Sequence, residues 1–489
     1  MKTKRFVSAL VLFTACVTPN SATESRAGAA WLTPPAALSA RPDAEPIAPL
    51  DFHVPKIATV TLDNGLIVYA VEDPTAQLVS LSLLMPGGAI YDPSDAVGLA
   101  GLAAALVRAG GAGDRSADAL DDALDFIGAN VESGAGAETI RVDASALARD
   151  FSTLTKLFAD VVLRPRFEEA RLTQAKDEAA ESIRRRNDDP GTIAARLFSK
   201  AVYGEKSPWA REPSERSIAA LSRAQIVDWH RRVFFPSGAR LVIAGPLPSA
   251  ELVLAAQNIF GAWKGKATLP TLPPIDRHLS RRVILVPRPF AQARVRFGHL
   301  GIRRLDTDES AVGLGNSVLG AGGFTSRLMR EIRSNRGLAY GVGSSLSAGR
   351  DRGLFLVSMG VEPEKTGEAL DTSLALVDQF AKAPAFTSEE LARAKDSAIN
   401  SFAFRFDTPE RAASERSMLD FWGYPQDYLE RYRDRIAALT DDEVSSAART
   451  HVHPDELQIV VVGDPKRLGD LSRFGPLTVV KDPENAGLE

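Results

Sequence analysis

The sequence predicts an α+β fold made of two homologous domains, and two observations carry this prediction. Strand-like and helix-like patterns appear in two successive runs, separated by a Pro- and Gly-rich segment at 263–282. Short motifs of the first run also recur in the second. AVGL occurs at 96–99 and again at 311–314, while LTQAKD at 172–177 is matched by LARAKD at 391–396, so the offsets are 215 and 219 residues.

Two single-residue markers support the same repeat. Pro236 and Gly245 flank an apolar strand pattern, and they recur as Pro454 and Gly463 around a second such pattern, both at an offset of 218. Four markers in the same order, with nearly constant offsets, indicate an internal duplication.

The domain boundaries follow from this repeat and from composition. An Ala- and Pro-rich stretch precedes the first strand pattern, and apolar periodicity fades after the last one. We therefore predict a signal peptide at 1–22, an irregular arm at 23–50, an N-terminal domain at 51–262, a linker at 263–282, a C-terminal domain at 283–466 and a C-terminal tail at 467–489.

The N-terminus has the pattern of an export signal. A basic start is followed by an apolar run at 6–17, which is too short to span a bilayer, and by small residues at 20–22. We expect a periplasmic protein without a transmembrane anchor. An alternative stays open, because Ala15-Cys16 resembles the end of a lipobox and would place a lipid anchor on Cys16.

Charge and cysteine content exclude several classes of function. Loss of Lys2, Lys4 and Arg5 with the signal peptide lowers the formal net charge by three, from −4 to −7. This balance argues against a nucleic-acid-binding surface. Cys16 is the only cysteine, so a chain cleaved after Ala22 has neither a thiol nucleophile nor a thiolate zinc site.

The elements of the first half follow in order. IATVTL and LIVYAV flank Asn64-Gly65, which predicts a β-hairpin. LVSLSLLM at 78–85 predicts a third strand and 97–108 a helix. Long helical patterns fill 116–235, with a break at 188–190, and LVIAG at 241–245 predicts a buried strand.

In the second half, VILV at 283–286 begins the strands, and the stretch 320–340 carries the most functional information. Thr325 or Ser326 is expected to cap a helix whose buried stripe contains Leu328 and Ile332. Gly337 is expected to end this helix, and LAYGVGSSL to form the next strand. Arginines recur at every third position of the helix: Arg327, Arg330, Arg333 and Arg336.

This spacing brings a guanidinium to the end of the helix and a phenol to the start of the strand. Arg333 and Tyr340 together would hold a substrate carbonyl or a developing oxyanion. The alternative is a solvated arginine face beside a half-buried tyrosine. Gly320, Gly322 and Gly323 either let a substrate backbone approach closely, as a substrate-binding loop, or form a tight turn.

Three motifs resemble signatures of the pitrilysin/insulinase family of zinc peptidases, in its short two-domain bacterial branch. They are LDNGLIVYAVED at 62–73, FFPSGARLVIAG at 234–245 and GGFTSRLMREIRSNRGLAY at 322–340. The resemblance implies two domains, each with a mainly antiparallel sheet packed by helices, that pair into a clamshell around an extended peptide. It also implies that Arg333 and Tyr340 are the Arg/Tyr pair that faces a zinc site of the form H-x-x-E-H.

The zinc motif itself is degenerate. Where the family has its two histidine ligands this chain has Gly101 and Ala105, and Ala104 takes the place of the general base. Glu178 and Glu181 lie near the expected position of the distant third ligand, but one carboxylate cannot hold zinc. His451 and His453, two residues apart, are expected on one face of a strand without a third ligand nearby.

The sequence therefore predicts a subunit of a heterodimeric zinc metallopeptidase that binds no zinc itself and is inactive alone. A homologous partner with an intact H-x-x-E-H is expected to carry the zinc, and an extended peptide is the expected substrate. The alternative is a catalytically inert scaffold or a peptide-binding subunit.

Overall fold

A computed structural model describes residues 53–266, 268–382 and 386–488. The predicted signal peptide at 1–22 and the arm at 23–50 lie outside this range. Within it, no helix combines the length and the apolar character that a membrane crossing requires.

The first half is organised around a six-stranded sheet with the order β1-β2-β6-β3-β5-β4. Its strands are β1 (Ala58–Thr61), β2 (Ile67–Glu72), β3 (Leu78–Pro86), β4 (Asn130–Ala135), β5 (Thr139–Leu147) and β6 (Arg240–Gly245). Only β2 and β6 pair in parallel. The predicted hairpin of β1 and β2 is confirmed, with Gly65 at φ +85° in its turn.

The second half repeats this arrangement with the order β12-β7-β11-β8-β10-β9. Its strands are β7 (Arg282–Pro287), β8 (Ala293–Leu300), β9 (Ala339–Ser347), β10 (Leu354–Val361), β11 (Gln458–Gly463) and β12 (Leu477–Val479). The order β7-β11-β8-β10-β9 matches β2-β6-β3-β5-β4 strand for strand, which confirms two homologous α+β halves.

The described part of the chain contains fourteen α-helices, which pack against the sheets or against one another. They are α1 (Leu99–Ala109), α2 (Ala117–Phe126), α3 (Phe151–Leu163), α4 (Glu169–Arg185), α5 (Pro190–Tyr203), α6 (Glu215–Ala220), α7 (Arg223–Val233), α8 (Ser249–Phe260), α9 (Glu309–Asn316), α10 (Thr366–Phe380), α11 (Ser388–Ser401), α12 (Pro409–Trp422), α13 (Tyr432–Ala438) and α14 (Asp441–His451).

The two halves exchange one helix each. Helix α5 follows the first half's sequence, but Ile193 and Phe198 pack in one cluster with Val286 and Val460 of the second sheet. Helix α12 does the reverse, since Ala413 packs with residues of β2 and β6. Both helices begin at a proline whose preceding residue caps the helix, because proline fixes a helical φ and lacks the N–H that a first turn leaves unpaired.

The predicted C-terminal tail at 467–489 is more ordered than its weak periodicity indicates. Leu471 and Phe474 are buried in the core of the second half, and β12 pairs in parallel with β7 at the edge of the sheet. The segment therefore completes the second half. The pattern was missed because a three-residue strand is too short to show alternation.

Candidate functional site

The site segment is wound more widely than an α-helix in two places. Ser317–Ala321 and Met329–Asn335 are both π-helical, and the turn between them contains Gly322 and Gly323. Such turns are rare and are often found at functional sites. Leu328 and Ile332 are fully buried, as their spacing predicts, so the helix is anchored in the core of the second half.

The predicted helix cap takes a different form. The Ser326 hydroxyl donates to the carbonyl of Gly323 at 2.7 Å, and the Thr325 hydroxyl donates to that of Gly322 at 3.0 Å. Neither hydroxyl caps the π-helix that follows, because its N-cap residue is Leu328 and no side chain accepts an N–H there. Thr325 lies in a short 3₁₀ turn, Gly323–Thr325, and the hydroxyls close this turn instead.

Gly337 ends the helix as predicted. It adopts φ +58°, a conformation that favours glycine, and its N–H donates to the Arg333 carbonyl at 3.1 Å. The N–H of Leu338 donates to the Ile332 carbonyl at 2.8 Å, and the chain then enters β9. This turn brings the end of the helix beside the start of the strand.

A β-bulge aims Tyr340 away from the sheet. In the pairing of β9 with β10, Gly341 lies opposite Gly360 and Ala339 lies opposite Val361, so Tyr340 has no residue opposite it. A bulge of this kind re-aims the side chain of the extra residue. Tyr340 is 83% exposed, and the half-buried tyrosine of the alternative interpretation is not observed.

Arg333 is stacked between two aromatic rings. Its guanidinium carbon lies 4.6 Å from the ring centroid of Tyr340 and 4.8 Å from that of Phe324. Sequence reasoning missed Phe324, which is 67% exposed. The available signal was a large apolar residue within a glycine turn. Stacking on aromatic faces restrains the guanidinium while its edge remains available to donate hydrogen bonds.

Arg333 also differs from its neighbours in charge pairing. Among the residues that the structure describes, no carboxylate lies within 4 Å of its guanidinium. The other three arginines of this helix each have a glutamate nearby: Arg327 with Glu390 at 2.6 Å, Arg330 with Glu331 at 3.7 Å and Arg336 with Glu368 at 3.4 Å. Of these four arginines, Arg333 is thus the one whose guanidinium is available to a ligand.

The three glycines have different explanations. Gly320 is buried, and a Cβ there would lie 2.5 Å from the Ser344 hydroxyl, so packing of β9 against this turn requires glycine. A Cβ on Gly322 would lie 2.5 Å from the Ser317 carbonyl, which indicates a tight turn. Gly323 is exposed with φ +62° and open space beside it. A substrate-binding role of these glycines stays a prediction. Of the three, Gly323 has the most room for a substrate backbone.

The degenerate zinc positions lie on α1. Gly101 and Ala105 are exposed one turn apart, and Ala104 is fully buried. None of the three offers a side-chain donor atom. Glu178 accepts a hydrogen bond from Gln174, and Glu181 pairs with Arg184. Because glycine and alanine side chains have no N, O or S atom, the residues at these positions do not fit zinc. Within the described ranges no three His, Cys, Asp or Glu residues are grouped to hold a metal ion.

His299, His451 and His453 form hydrogen bonds within the fold. His451 ends α14 and pairs with Asp308 at 2.7 Å, while the backbone N–H of His453 donates to Nε2 of His299 at 3.0 Å. The two residues therefore do not lie on a strand, because the helix extends to His451. Burial lowers the pKa of His299 to about 4, which keeps its ring neutral as an acceptor.

Comparison with known proteins assigns the chain to a family. Residues 67–208 match the family model described as insulinase (peptidase family M16), and residues 220–398 match the model described as the peptidase M16 inactive domain. The chain belongs to the M16, or pitrilysin/insulinase, peptidase family. Among similar proteins, a Streptomyces coelicolor protein named an uncharacterized zinc protease is 28% identical over 69% of this chain and 75% of its own length. The uncharacterized zinc protease YmxG of Bacillus subtilis is 22% identical over 80% of this chain and 95% of its own.

Solved structures of similar proteins share the fold. The peptidase M16 inactive domain from Pseudomonas fluorescens superposes with a TM-score of 0.77 at 25% identity, over 84% of this chain and 98% of that one. A protease from Helicobacter pylori gives 0.75 at 19% identity over 84% and 100%. The periplasmic protease PqqL from Escherichia coli gives 0.71 at 18% identity, over 87% of this chain and 47% of its own.

In this M16 fold, the helix that carries Arg333 is tied to α11 through Glu390, which pairs closely with Arg327 and more distantly, at 3.8 Å, with Arg330. Two guanidinium nitrogens of Arg327 donate to Glu390 at 2.9 and 2.6 Å, and these bonds lower the pKa of the Glu390 carboxyl to about 2. The same carboxylate accepts the N–H of Thr387, which caps α11. This ion pair therefore holds the helix of the candidate site against α11.

We expect the stability contribution of Glu390 to depend on pH. Its pKa is about 2 when folded and near 4.3 when unfolded, so the contribution is present above about pH 4.3 and is lost as the pH falls toward 2. Chemical denaturation of wild type and Glu390→Gln should differ by about 2 kcal/mol at neutral pH, with the difference shrinking below about pH 4. A difference that stays constant down to about pH 2.5 would contradict this assignment.

Proposed function

We propose that this chain is the non-zinc-binding subunit of a two-subunit M16 metallopeptidase and supplies Arg333 and Tyr340 to a bound peptide. The observation that carries the proposal is the stacked, carboxylate-free guanidinium of Arg333 beside the exposed phenol of Tyr340. Ordinary surface arginines of this helix are paired with glutamates, as the other three are. An arginine held in position without such a partner is suited to an external acceptor.

The two side chains have distinct roles in this proposal. The phenol hydroxyl of Tyr340 donates a hydrogen bond to the oxyanion that forms when the peptide carbonyl is attacked. Arg333 donates from the edge of its guanidinium to a substrate carbonyl, and Phe324 keeps the guanidinium oriented. A homologous partner with an intact H-x-x-E-H would hold the zinc, the water and the general base.

The proposal also covers the cellular location of the chain and the substrate of the peptidase. The pattern at 1–22 supports export to the periplasm, with lipidation of Cys16 as the alternative. The substrate is an extended peptide, because an unpaired strand such as β9 can add one more strand through backbone hydrogen bonds. A hydrogen-bond donor to the negatively charged oxygen of the tetrahedral intermediate is the chain's contribution to catalysis.

A second candidate function is an inert scaffold or peptide-binding subunit. The loss of donor atoms at Gly101, Ala104 and Ala105 favours it, since a chain that has lost its own chemistry can persist for assembly alone. The two candidates predict different behaviour of Tyr340, because a scaffold has no use for its hydroxyl.

The test of the proposal is reconstitution. The purified chain alone should not cleave unstructured peptides, whereas a mixture with its H-x-x-E-H partner should show activity that a chelator abolishes. The triple variant Gly101→His, Ala104→Glu and Ala105→His should not give the isolated chain full activity, because the residues that orient new ligands would still be missing. Equal activity of the partner with and without this chain would refute the shared site.

A further inference from the structure

Two arginines lie side by side on the outer face of the second sheet, opposite its core. Arg294 and Arg296 are two residues apart on β8, so both side chains leave the same face, while Val295 between them is buried in the core. Strand β8 is interior, paired with β11 and β10. Helix α5 packs over the part of this face that contains Leu300, and Arg294 remains exposed.

This pair of cations has no counter-charge in contact with it. In the described parts of the chain, no carboxylate lies within 4 Å of either guanidinium. Hydrogen bonds from Thr192 lower the pKa of Asp189, and the charge of Arg294 lowers it further. That carboxylate is used to cap α5, where it accepts the N–H of Thr192 at 2.6 Å. Burial and the neighbouring Arg294 lower the pKa of Arg296. Like charges on one face are unfavourable, so an anionic ligand would relieve them.

The guanidinium of Arg294 points toward the strand that carries Tyr340. A Cβ on Gly360 of β10 would lie 2.7 Å from Nη1 of Arg294 and 3.2 Å from its Cζ, so the guanidinium lies directly over this glycine. Gly360 is paired with Gly341, which follows Tyr340 on the edge strand β9. The space beside Gly341 is open. Between Arg294 and the edge of the sheet, this face therefore has two glycines and no side chain.

We propose that Arg294, supported by Arg296, binds a carboxylate of the peptide that reaches Tyr340, so that this chain selects acidic peptides. The inference rests on the proposed function for the position of the peptide along β9. Adjacent strands lie about 4.8 Å apart, so a strand added outside β9 is roughly 10 Å from a group above β10. An extended glutamate places its carboxylate about 5 Å from its Cα, and a charge-assisted hydrogen bond adds about 3 Å. The guanidinium of Arg294 therefore has to move about 2 Å toward Gly341, where the space is open, to complete the contact.

The alternation of side chains assigns the two faces different tasks. Successive side chains of an extended peptide point to opposite sides of the sheet. The helix that carries Arg333 packs on the core face of the second sheet, and Arg294 lies on the opposite face. The carboxylate can come from an Asp or Glu side chain or from the C-terminus of the peptide, and the experiment must separate these sources.

Fluorescence anisotropy of the purified chain with labelled short peptides tests the proposal. One series is C-terminally amidated, with a single Glu placed at successive positions of an otherwise Gln- and Val-based sequence; a second lacks Glu and has a free C-terminus. At low salt we expect the best carboxylate-bearing peptide to bind about tenfold tighter than the amidated peptide without Glu. The series that shows the preference identifies the source of the carboxylate.

Variants then assign the preference to Arg294. Arg294→Gln should remove it while leaving the affinity for the uncharged peptide within about twofold. Gly360→Ala keeps every charge but forces the guanidinium of Arg294 to move, so it should weaken the preference as well. Arg149→Gln removes an exposed arginine of the first half and should leave the preference unchanged.

Two results would overturn the inference. They are equal or absent binding of all peptides by the wild type, and a carboxylate preference that persists in Arg294→Gln. The outcome is independent of the proposed catalytic role, since Tyr340→Phe should retain the preference. If the preference is present while Tyr340→Phe keeps full turnover in the complex, the carboxylate site stands and the catalytic proposal fails.

Discussion

Substitution of Tyr340 by phenylalanine should lower kcat of the reconstituted complex by about 100- to 1,000-fold with little change in KM. The variant removes one hydroxyl from a side chain that is 83% exposed, so folding and assembly should be unaffected. The ring remains and still stacks on Arg333 at the observed 4.6 Å. A loss confined to kcat is expected for a donor whose hydrogen bond forms only in the transition state.

Two arginine variants complete this test. Arg333→Ala should lower kcat/KM, because it removes a donor to the substrate carbonyl and leaves Phe324 and Tyr340 without the guanidinium between them. Arg330→Ala is the matched control on the same helix. Its guanidinium lies near Glu331 and Glu390 on the surface, and its loss should be close to neutral. Wild-type turnover of Tyr340→Phe in an intact complex would favour the scaffold function.

The position of Arg333 and Tyr340 was predictable because local rules determine it. Leu328 and Ile332 fix the buried face of the helix, and Gly337 is suited to the left-handed conformation that ends it. The internal repeat likewise predicted the two homologous sheets, since a duplicated sequence repeats its hydrophobic pattern.

The features that distinguish this pair from ordinary surface residues were not predictable in the same way. The bulge at Tyr340 depends on how β9 pairs with β10, which is a long-range register and not a local preference. The contact of Phe324 with Arg333 depends on a π-helical turn, whose wider winding has no clear periodicity in sequence. In the sequence, Arg333 also looks the same as the other three arginines of its helix. Only the structure shows which of them have glutamate partners.

The exchange of α5 and α12 was hidden for a similar reason. Amphipathic periodicity shows that a helix has a buried face, but it does not show which sheet covers that face. The Pro- and Gly-rich segment at 263–282 indicated two units joined by a linker. In the structure the two halves are joined by shared helices as well, so the surface that carries Arg333 and Tyr340 is part of a continuous body.

We expect Asp420→Ala to destabilise this body by about 2–4 kcal/mol, because it removes the acceptor that joins the exchanged helix α12 to the first sheet. One carboxylate oxygen of Asp420 accepts the Tyr69 hydroxyl at 2.7 Å and Nε of Arg240 at 3.0 Å. Tyr69 is 2% exposed, so its hydroxyl cannot gain a full replacement from water. Burial and the bond to Asp420 also raise the pKa of Tyr69, so the phenol stays a donor at any physiological pH.

The measurement is urea denaturation, with Asp371→Ala as the control. Asp371 also pairs with an arginine, Arg473 at 2.6 Å, but both side chains are about half exposed, and such surface pairs contribute about 0–1 kcal/mol. Asp420→Asn should be intermediate, since an amide oxygen still accepts one hydrogen bond without the charge. If Asp420→Ala unfolds at the same urea concentration as Asp371→Ala, the contact between α12 and the first sheet contributes nothing through this carboxylate, and burial of residues such as Ala413 must hold the halves together alone.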